Sequence, residues 1–267
     1  RGQGNAEGFA FPGRHFRDRP THHGQAAADL GRVMEQPGRA AGSLPHQGEG
    51  GIIPFKPGFL SYLRKKCDEV GALLMLDQVQ CGMMRTGHLF SHFAEKGVVP
   101  DVVTLAKALG GGMPIGACLI GSRAENTFQF GSHGSTFGGN PLACAVAYEV
   151  LKTLQSKKLQ DNVKARSKEF FAALNAMNRK HKLFKEVRGR GLMVGAELVP
   201  ALHGKAGDIA DIARAGGVLI LQAGPNVLRF LPPLSITQKE LKEGLARLDE
   251  ALQEFGRMQI VIDFKKG

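Results

Sequence analysis

Two ionisable side chains stand at the ends of two apolar segments that have the character of neighbouring strands. Asp77 directly follows the run LLML at residues 73–76, and Lys107 directly follows VVTLA at residues 102–106. Ligands of α/β sheets bind at the carboxyl ends of the strands, so both side chains are expected to face one site. Pyridoxal phosphate needs a lysine for its Schiff base and a carboxylate for its pyridinium nitrogen. The pattern therefore predicts a pyridoxal phosphate site.

Each of these residues also has a simpler interpretation. Lys107 alone could be a surface lysine at a strand end, and Asp77 could cap the turn that follows it. A carboxylate after four apolar residues is costly to bury without a cationic or donor partner, which favours the cofactor site. Gln80, three residues after Asp77, could bond a ring oxygen of the cofactor or be a plain turn residue.

Two further segments could complete such a site. Residues 133–141 (HGSTFGGNP) are Gly-rich and open a helix, so the hydroxyls of Ser135 and Thr136 and nearby N–H groups could hold a phosphate, although such a loop is usually only a turn. Arg229 lies in an apolar strand and needs an anion, which could be a substrate carboxylate or a structural salt bridge. The glycines of residues 189–195 lead into a strand, which excludes a dinucleotide fingerprint.

Helical and strand patterns alternate from residue 47 onward and predict an α/β fold. The expected helices cover 57–70, 89–96, 141–154, 159–181, 207–215 and a last helix from residue 237, and the expected strands cover 73–76, 101–106, 115–120, 192–198, 218–221 and 227–230. Asn140 is expected to cap the helix that Pro141 begins. Thr237 and Glu240 form a capping box.

Composition narrows the class of protein. The chain has 267 residues and a formal net charge of +11, but its Lys and Arg are interleaved with acids, which favours a solvated basic surface and no nucleic-acid partner. No run of about 18 apolar residues occurs, so no membrane span is expected. The four cysteines form no C-x-x-C pair, so neither a metal site nor a disulfide framework is expected, and a reducing cytoplasm fits.

Residues 1–44 differ from the rest of the chain. They contain no Lys, Ile, Cys or Tyr and are rich in Gly, Arg, Pro and His. Such a composition buries little apolar surface. A disordered natural tail, a cloning scar and an out-of-frame translation are the three explanations, and we favour the last because the pattern becomes regular abruptly at Gln47.

Several ordered motifs together resemble the class III, ornithine aminotransferase-like, family of pyridoxal-phosphate aminotransferases. They are QGEGG at 47–51, LDQVQCG at 76–82, RTG at 85–87, PD at 100–101, residues 105–112, PIG at 114–116, residues 133–143, VRGRGL at 187–192 and residues 222–233. The resemblance covers roughly residues 45–255. Within the family the chain looks most like the acetylornithine and succinylornithine aminotransferases.

The resemblance implies a fold-type I aminotransferase and a division of the chain. Residues 45–150 would be a remnant of the large cofactor domain, 151–257 the small C-terminal α/β domain and 258–267 a tail, with 1–44 atypical. The implied reaction moves the ω-amino group of N2-acetylornithine or N2-succinylornithine to 2-oxoglutarate in a cytoplasmic homodimer. Ornithine or 4-aminobutyrate aminotransferase, and a non-catalytic fragment that binds polyanions through its charge, are the alternatives.

The resemblance also implies a role for each candidate residue. Lys107 would carry the cofactor and move the substrate proton, Asp77 would hold the ring nitrogen, and Gln80 would lie beside the ring hydroxyl. Thr136 would bind the cofactor phosphate of a partner subunit, next to Ser135. The substrate residues would be Arg229, which would clamp the α-carboxylate, and Glu49, which would pair with that arginine as a gate.

The chain departs from the family pattern at several positions. Gln78 stands where the family usually has Glu, and Met84 where it usually has a small residue. Leu44-Pro45-His46 stands where Glu-Pro usually precedes the Gln-Gly-Glu-Gly motif. The upstream half of the family, with its phosphate loop and stacking aromatic residue, is not recognisable in residues 1–44. We therefore expect the 267-residue chain to bind pyridoxal phosphate weakly and to turn over poorly, and a normal rate would contradict this.

Overall fold

Two four-stranded sheets with helices packed against them organise the chain. The computed structural model describes the backbone of residues 40–43, 46–47 and 50–264, with side chains for residues 50–258. The strands are β1 (Ala40–Ser43), β2 (His46–Gln47), β3 (Ile53–Pro54), β4 (Leu73–Asp77), β5 (Val102–Leu105), β6 (Ala117–Ile120), β7 (Phe184–Arg190), β8 (Met193–Leu198), β9 (Leu221–Gln222) and β10 (Val227–Phe230). The helices are α1 (Phe59–Val70), α2 (Pro141–Gln155), α3 (Lys157–His181), α4 (Ala206–Ala215) and α5 (Gln238–Phe264).

The first sheet places the two predicted strand ends side by side. Its order is β1-β4-β5-β6, with β1 and β5 parallel to β4 and β6 antiparallel to β5. Leu74 and Leu76 of β4 are buried and pack with Leu60 and Leu63 of α1, so the apolar face of that helix covers this sheet. The predicted strands at 73–76 and 101–106 are therefore confirmed, whereas the strand expected from residue 115 begins at Ala117.

The structure describes a strand before residue 45, within the segment that the sequence marks as atypical. Ala40–Ser43 forms β1, which pairs in parallel with β4 from Ala40 opposite Leu73 to Ser43 opposite Leu76. Its sequence AAGS has no branched or aromatic residue and so gives no strand signal. Residues 1–39, on which the remainder of that expectation rests, lie outside the described residues.

The second sheet is antiparallel, in the order β7-β8-β10-β9. Its core includes Val194 and Leu198 of β8, Leu228 of β10 and Leu174 of α3, each almost completely buried. The strand expected at 218–221 is only the two residues Leu221–Gln222, because this edge strand pairs over just two positions of β10. The assignment of residues 151–257 to a separate small domain stays a prediction.

The last helix is longer than expected. Its capping box is confirmed: Glu240 Oε2 accepts from Thr237 N at 2.8 Å, and Thr237 Oγ1 accepts from Glu240 N at 3.2 Å. The helix then continues to Phe264, so most of the expected tail at 258–267 is helical. The helix expected at 89–96 is only the 3₁₀ turn Ser91–Ala94.

We expect Asn140→Ala to weaken the folded chain at the start of α2. Asn140 Oδ1 accepts from Ala143 N at 2.9 Å, as the cap prediction requires, and Pro141 occupies the first turn. Removing such a cap costs about 1 kcal/mol. Urea unfolding would measure the loss. Asn140→Asp keeps an acceptor and should retain most of the stability, and equal losses in both variants would contradict the capping role.

Candidate active site at the ends of the parallel strands

The two carboxylate oxygens of Asp77 differ in their hydrogen bonds. Asp77 is exposed at the carboxyl end of β4, and its Oδ1 accepts from Val79 N at 2.9 Å and from the Thr104 hydroxyl at 3.2 Å. Its Oδ2 makes no hydrogen bond to any residue that the structure describes. Asp77 therefore does cap the turn that follows it, through Oδ1. Its Oδ2 remains oriented to bind a cationic group of a ligand.

Lys107 follows β5 with its side chain exposed and its backbone strained. Its φ is 46°, in the left-handed region that residues with a Cβ rarely adopt, and it begins the 3₁₀ turn Lys107–Leu109. Strain of this kind persists only where surrounding structure imposes it, and it concentrates at functional sites. The turn that follows is tight, because a Cβ on Gly110 would lie 2.0 Å from the carbonyl oxygen of Met113.

The two candidate residues lie at the same edge of the sheet. Asp77 is opposite Thr104 in the parallel register of β4 and β5, and Lys107 follows Thr104 by three residues. This arrangement is the one that the two apolar runs predict. It fits pyridoxal phosphate chemically, since an accessible amine and an accessible carboxylate emerge from adjacent strand ends.

The Gly-rich loop is exposed and leads into α2, as predicted. Ser135 Oγ accepts from Gly138 N at 3.0 Å, and the side chain of Thr136 is exposed. Within the described part of the chain, no hydrogen bond joins this loop to Asp77 or Lys107. A phosphate role for Ser135 and Thr136 therefore stays a prediction.

The structure describes two of the remaining three candidates. Gln80 is half-buried in the turn after Asp77. Arg229 lies on β10 opposite Gly195, and it lines an apolar cavity of about 340 Å³ together with Phe170 and Phe230. Glu49 lies outside the described residues. The roles of these three residues stay predictions.

Arg85 joins the loop after Asp77 to two segments that flank strands of the second sheet. The sequence alone predicted no role for it. Its Nη1 donates to the carbonyl of Leu192 at 3.1 Å and to that of Pro232 at 2.6 Å, and its own carbonyl accepts from Leu192 N at 2.9 Å. Burial lowers the pKa of Arg85 to about 10. The guanidinium thus links the loop after Asp77 to the β7–β8 turn and to the chain just beyond Arg229.

We expect Arg85→Ala to destabilise the chain by about 2–3 kcal/mol, because two carbonyls would lose a charged donor. Denaturant unfolding would measure the loss. Arg214→Ala is the matched control, since its guanidinium pairs with Asp211 on the exposed surface of α4 and such pairs contribute little. Equal midpoints for the two variants would contradict a linking role for Arg85.

The described residues contain neither a candidate metal centre nor a candidate membrane span. No group of three or more His, Cys, Asp or Glu side chains is arranged to hold a metal ion. Nor does any described helix have the length and apolar character needed to cross a bilayer.

The comparisons with known proteins agree with this geometry. The family model "Aminotransferase class-III" matches residues 40–252. The acetylornithine aminotransferase of Xanthomonas campestris pv. campestris is 52% identical over 241 residues, which are 90% of this chain and 57% of that protein. The succinylornithine transaminase of Yersinia pseudotuberculosis is 48% identical over 79% of this chain and 50% of that protein. The chain therefore spans about half the length of the curated relatives it matches.

Solved aminotransferase structures are also similar to this chain. The N-acetylornithine aminotransferase of Stenotrophomonas maltophilia has a TM-score of 0.78 and 47% identity, covering 86% of this chain and 60% of that one. An ornithine aminotransferase of Toxoplasma gondii, described with partial occupancy of pyridoxal phosphate at its active site, has a TM-score of 0.79 and 33% identity, covering 86% of this chain and 55% of that one. The Xanthomonas match is longer than residues 45–267, so it includes part of the N-terminal segment where no resemblance was expected.

The predicted α/β fold of a fold-type I aminotransferase is thereby confirmed, and pyridoxal phosphate is the cofactor that the comparisons imply. The family acts on amino acids and oxo acids. The chain belongs to the class III aminotransferase family.

Proposed function

We propose that this chain carries the catalytic residues of an aminotransferase that moves the ω-amino group of N2-acetylornithine or N2-succinylornithine to 2-oxoglutarate. The observation that carries the proposal is the pair Asp77 and Lys107 at adjacent parallel strand ends. The choice of substrate rests on relatives of those names at 48–52% identity, compared with 33% for the ornithine aminotransferase.

The chemistry divides between the cofactor and the side chains. Bound pyridoxal phosphate would supply a conjugated ring that accepts the electron pair left when the amino-bearing carbon loses its proton. Lys107 Nζ would take that proton and return it. Asp77 Oδ2 would hold the proton on the ring nitrogen, with Oδ1 fixed by its two donors.

Further residues would bind and orient. Gln80 would lie beside the ring hydroxyl, and Ser135 and Thr136 would bind phosphate. Arg229 would take the α-carboxylate of glutamate or 2-oxoglutarate as a bidentate pair. Glu49 would neutralise that arginine when the ω-amine donor is bound. Arg85 would hold the β10 end of the site at its position relative to Asp77.

The test of the proposal is glutamate formation from 2-oxoglutarate at saturating pyridoxal phosphate, with N2-acetylornithine, N2-succinylornithine, ornithine and 4-aminobutyrate as donors. Preference for an acylated ornithine supports the proposal. Preference for ornithine or 4-aminobutyrate would assign the chain to the alternative substrates. No turnover, together with DNA retention that falls with salt, would favour the polyanion-binding fragment.

Arg229→Lys should raise KM for 2-oxoglutarate by at least about tenfold, because an ammonium cannot replace a bidentate guanidinium. The Michaelis constant of the ω-amine donor should change less. Arg214→Lys, on the exposed face of α4, is the control. An unchanged KM for 2-oxoglutarate in Arg229→Lys would remove Arg229 from the substrate site.

We also propose that the protein is a homodimer. Large apolar side chains are exposed between residues 128 and 148, among them Phe130, Phe137, Leu142 and Tyr148, and Phe137 is 81% exposed. Exposed apolar groups of this size are typical of protein interfaces. Thr136, which would bind the cofactor of a partner subunit, directly precedes Phe137 in the chain. Sedimentation equilibrium would test this, and a monomer at micromolar concentration would contradict it.

A cytoplasmic location completes the proposal. All four cysteines are free thiols, and Cys118 and Cys144 are exposed. Free exposed thiols suit a reducing compartment. Fractionation of cells that express the protein would test the location, and recovery from an oxidising compartment would contradict it.

A further inference from the structure

A cluster of buried polar residues begins at Gln78, the residue after Asp77. Gln78, Ser91 and His92 are 1%, 2% and 5% exposed. Gln78 follows β4 and turns away from the site that Asp77 faces, and the other two residues belong to the 3₁₀ turn Ser91–Ala94. Buried polar groups need hydrogen-bond partners, so the arrangement within this cluster is tightly determined.

The donors and acceptors of the cluster fix the tautomer of His92. The backbone N–H of Ser91 can only donate, and it donates to Gln78 Oε1 at 2.5 Å. The amide nitrogen Nε2 of Gln78 therefore faces His92 Nδ1, also at 2.5 Å, and must donate to it. Nδ1 then carries a lone pair, so the ring proton lies on Nε2. Burial lowers the pKa of His92, which agrees with a neutral ring.

Every polar group of Gln78 is engaged. Besides its two side-chain bonds, its N–H donates to the carbonyl of Thr104 at 3.0 Å, and its carbonyl accepts from Gly82 N at 2.9 Å. The next residue, Val79, donates its N–H to Asp77 Oδ1. The direction of that N–H, and hence the orientation of the carboxylate, depends on how firmly Gln78 is held.

We propose that Gln78 is a positioning residue for Asp77, which anchors the turn after β4 through uncharged hydrogen bonds and holds His92 in a single neutral tautomer. An ionised glutamate here, as the family resemblance leads one to expect, could accept from Ser91 N but could not donate to His92 Nδ1. His92 would then have to carry a proton on Nδ1, and a second negative charge would stand beside Asp77. Gln78 confines the negative charge of this strand end to Asp77.

The first test is ¹⁵N NMR of the imidazole rings in the purified chain, with His92→Phe to identify the His92 signals among the nine histidines. We expect Nδ1 without a proton at pH 7–8, and a ring that stays neutral below the ordinary pKa of 6.5. In Gln78→Glu we expect a proton on Nδ1 and titration above that pKa. A proton on Nδ1 in the unmodified chain, or no change in Gln78→Glu, would overturn the tautomer assignment.

The second test measures the positioning itself and does not depend on a folded Gln78→Glu variant. In Gln78→Ala, the amide of Val79 should exchange about tenfold faster relative to the amides of α3, because a hydrogen bond of ordinary strength is released. Thr86→Val is the matched control, since it removes a buried hydroxyl bond to the Cys81 carbonyl from the same loop. Equal exchange of Val79 in the two variants would overturn the positioning role.

The consequence for the cofactor rests on the proposed function, and a third measurement keeps the two apart. Gln78→Ala should weaken binding of pyridoxal phosphate about tenfold in an absorbance titration while the band itself remains. Unchanged affinity would overturn the link to the cofactor. If the unmodified chain gave no band at all, the proposed function would fail, while the NMR and exchange results would still decide the role of Gln78.

Discussion

Lys107→Ala is expected to abolish covalent attachment of pyridoxal phosphate and to lower turnover by at least about 10³–10⁴-fold. The amine of Lys107 is both the point of attachment and the proton carrier in the proposed mechanism, and each role has a large rate effect. The visible absorbance band that pyridoxal phosphate forms with the chain should be absent at every cofactor concentration. The side chain is exposed, and alanine bears the same left-handed strain, so the fold should be preserved.

The control for this prediction is Lys96→Ala, which removes another exposed lysine, from the connection between β4 and β5. It should leave the band and the turnover unchanged. Thermal unfolding of both variants would establish that neither has lost its structure. A band of normal intensity in Lys107→Ala would show that another amine is the attachment point and would remove the central residue of the proposed site.

The sheet that carries the site could be predicted because its central strands are buried. Continuous apolar runs end in Asp77 and in Lys107, and a parallel arrangement places such ends together without knowledge of the register. The helix that begins at Pro141 was equally predictable, since Asn140 and Pro141 are strong local start signals.

Two of the strands that the sequence did not predict, β7 and β1, lack an apolar pattern. β7, with sequence FKEVRGR, is stabilised by charges that pair across the sheet: Arg188 and Lys185 both bind Glu197 of β8. The β1 strand owes its place to pairing with β4 rather than to its own small residues. In both cases tertiary contacts outweigh local propensity.

The roles of Arg85 and Gln78 could not be predicted from the sequence, because they also depend on tertiary contacts. Arg85 bonds to carbonyls 107 and 147 residues further along the chain, and spacing within a motif cannot reveal such contacts. Gln78 stood out only as a departure from the expected glutamate, and its meaning depends on His92, which is 14 residues away on a short 3₁₀ turn. The candidate residues at the strand ends follow from local pattern, whereas the residues that support their positions follow from the fold.

Asp77→Asn is expected to lower turnover by about 10²–10³-fold while the visible band of bound cofactor is retained. The amide oxygen of asparagine can still accept from Val79 N and from the Thr104 hydroxyl, so the side chain keeps its position. Only the charge at Oδ2 is lost, and a preorganised electrostatic partner of this kind contributes about that much to a rate.

Two further variants separate charge from position at Asp77. Thr104→Val removes the 3.2 Å bond to Oδ1 but keeps the carboxylate, so its turnover should fall by less than about tenfold. Asp77→Ala removes both charge and position and should be at least as impaired as Asp77→Asn. If Thr104→Val proved as damaging as Asp77→Asn, orientation rather than charge would dominate at this residue. If Asp77→Asn turned over normally, the carboxylate would have no part in holding the ring nitrogen, and Asp77 would be only the cap of the turn after β4.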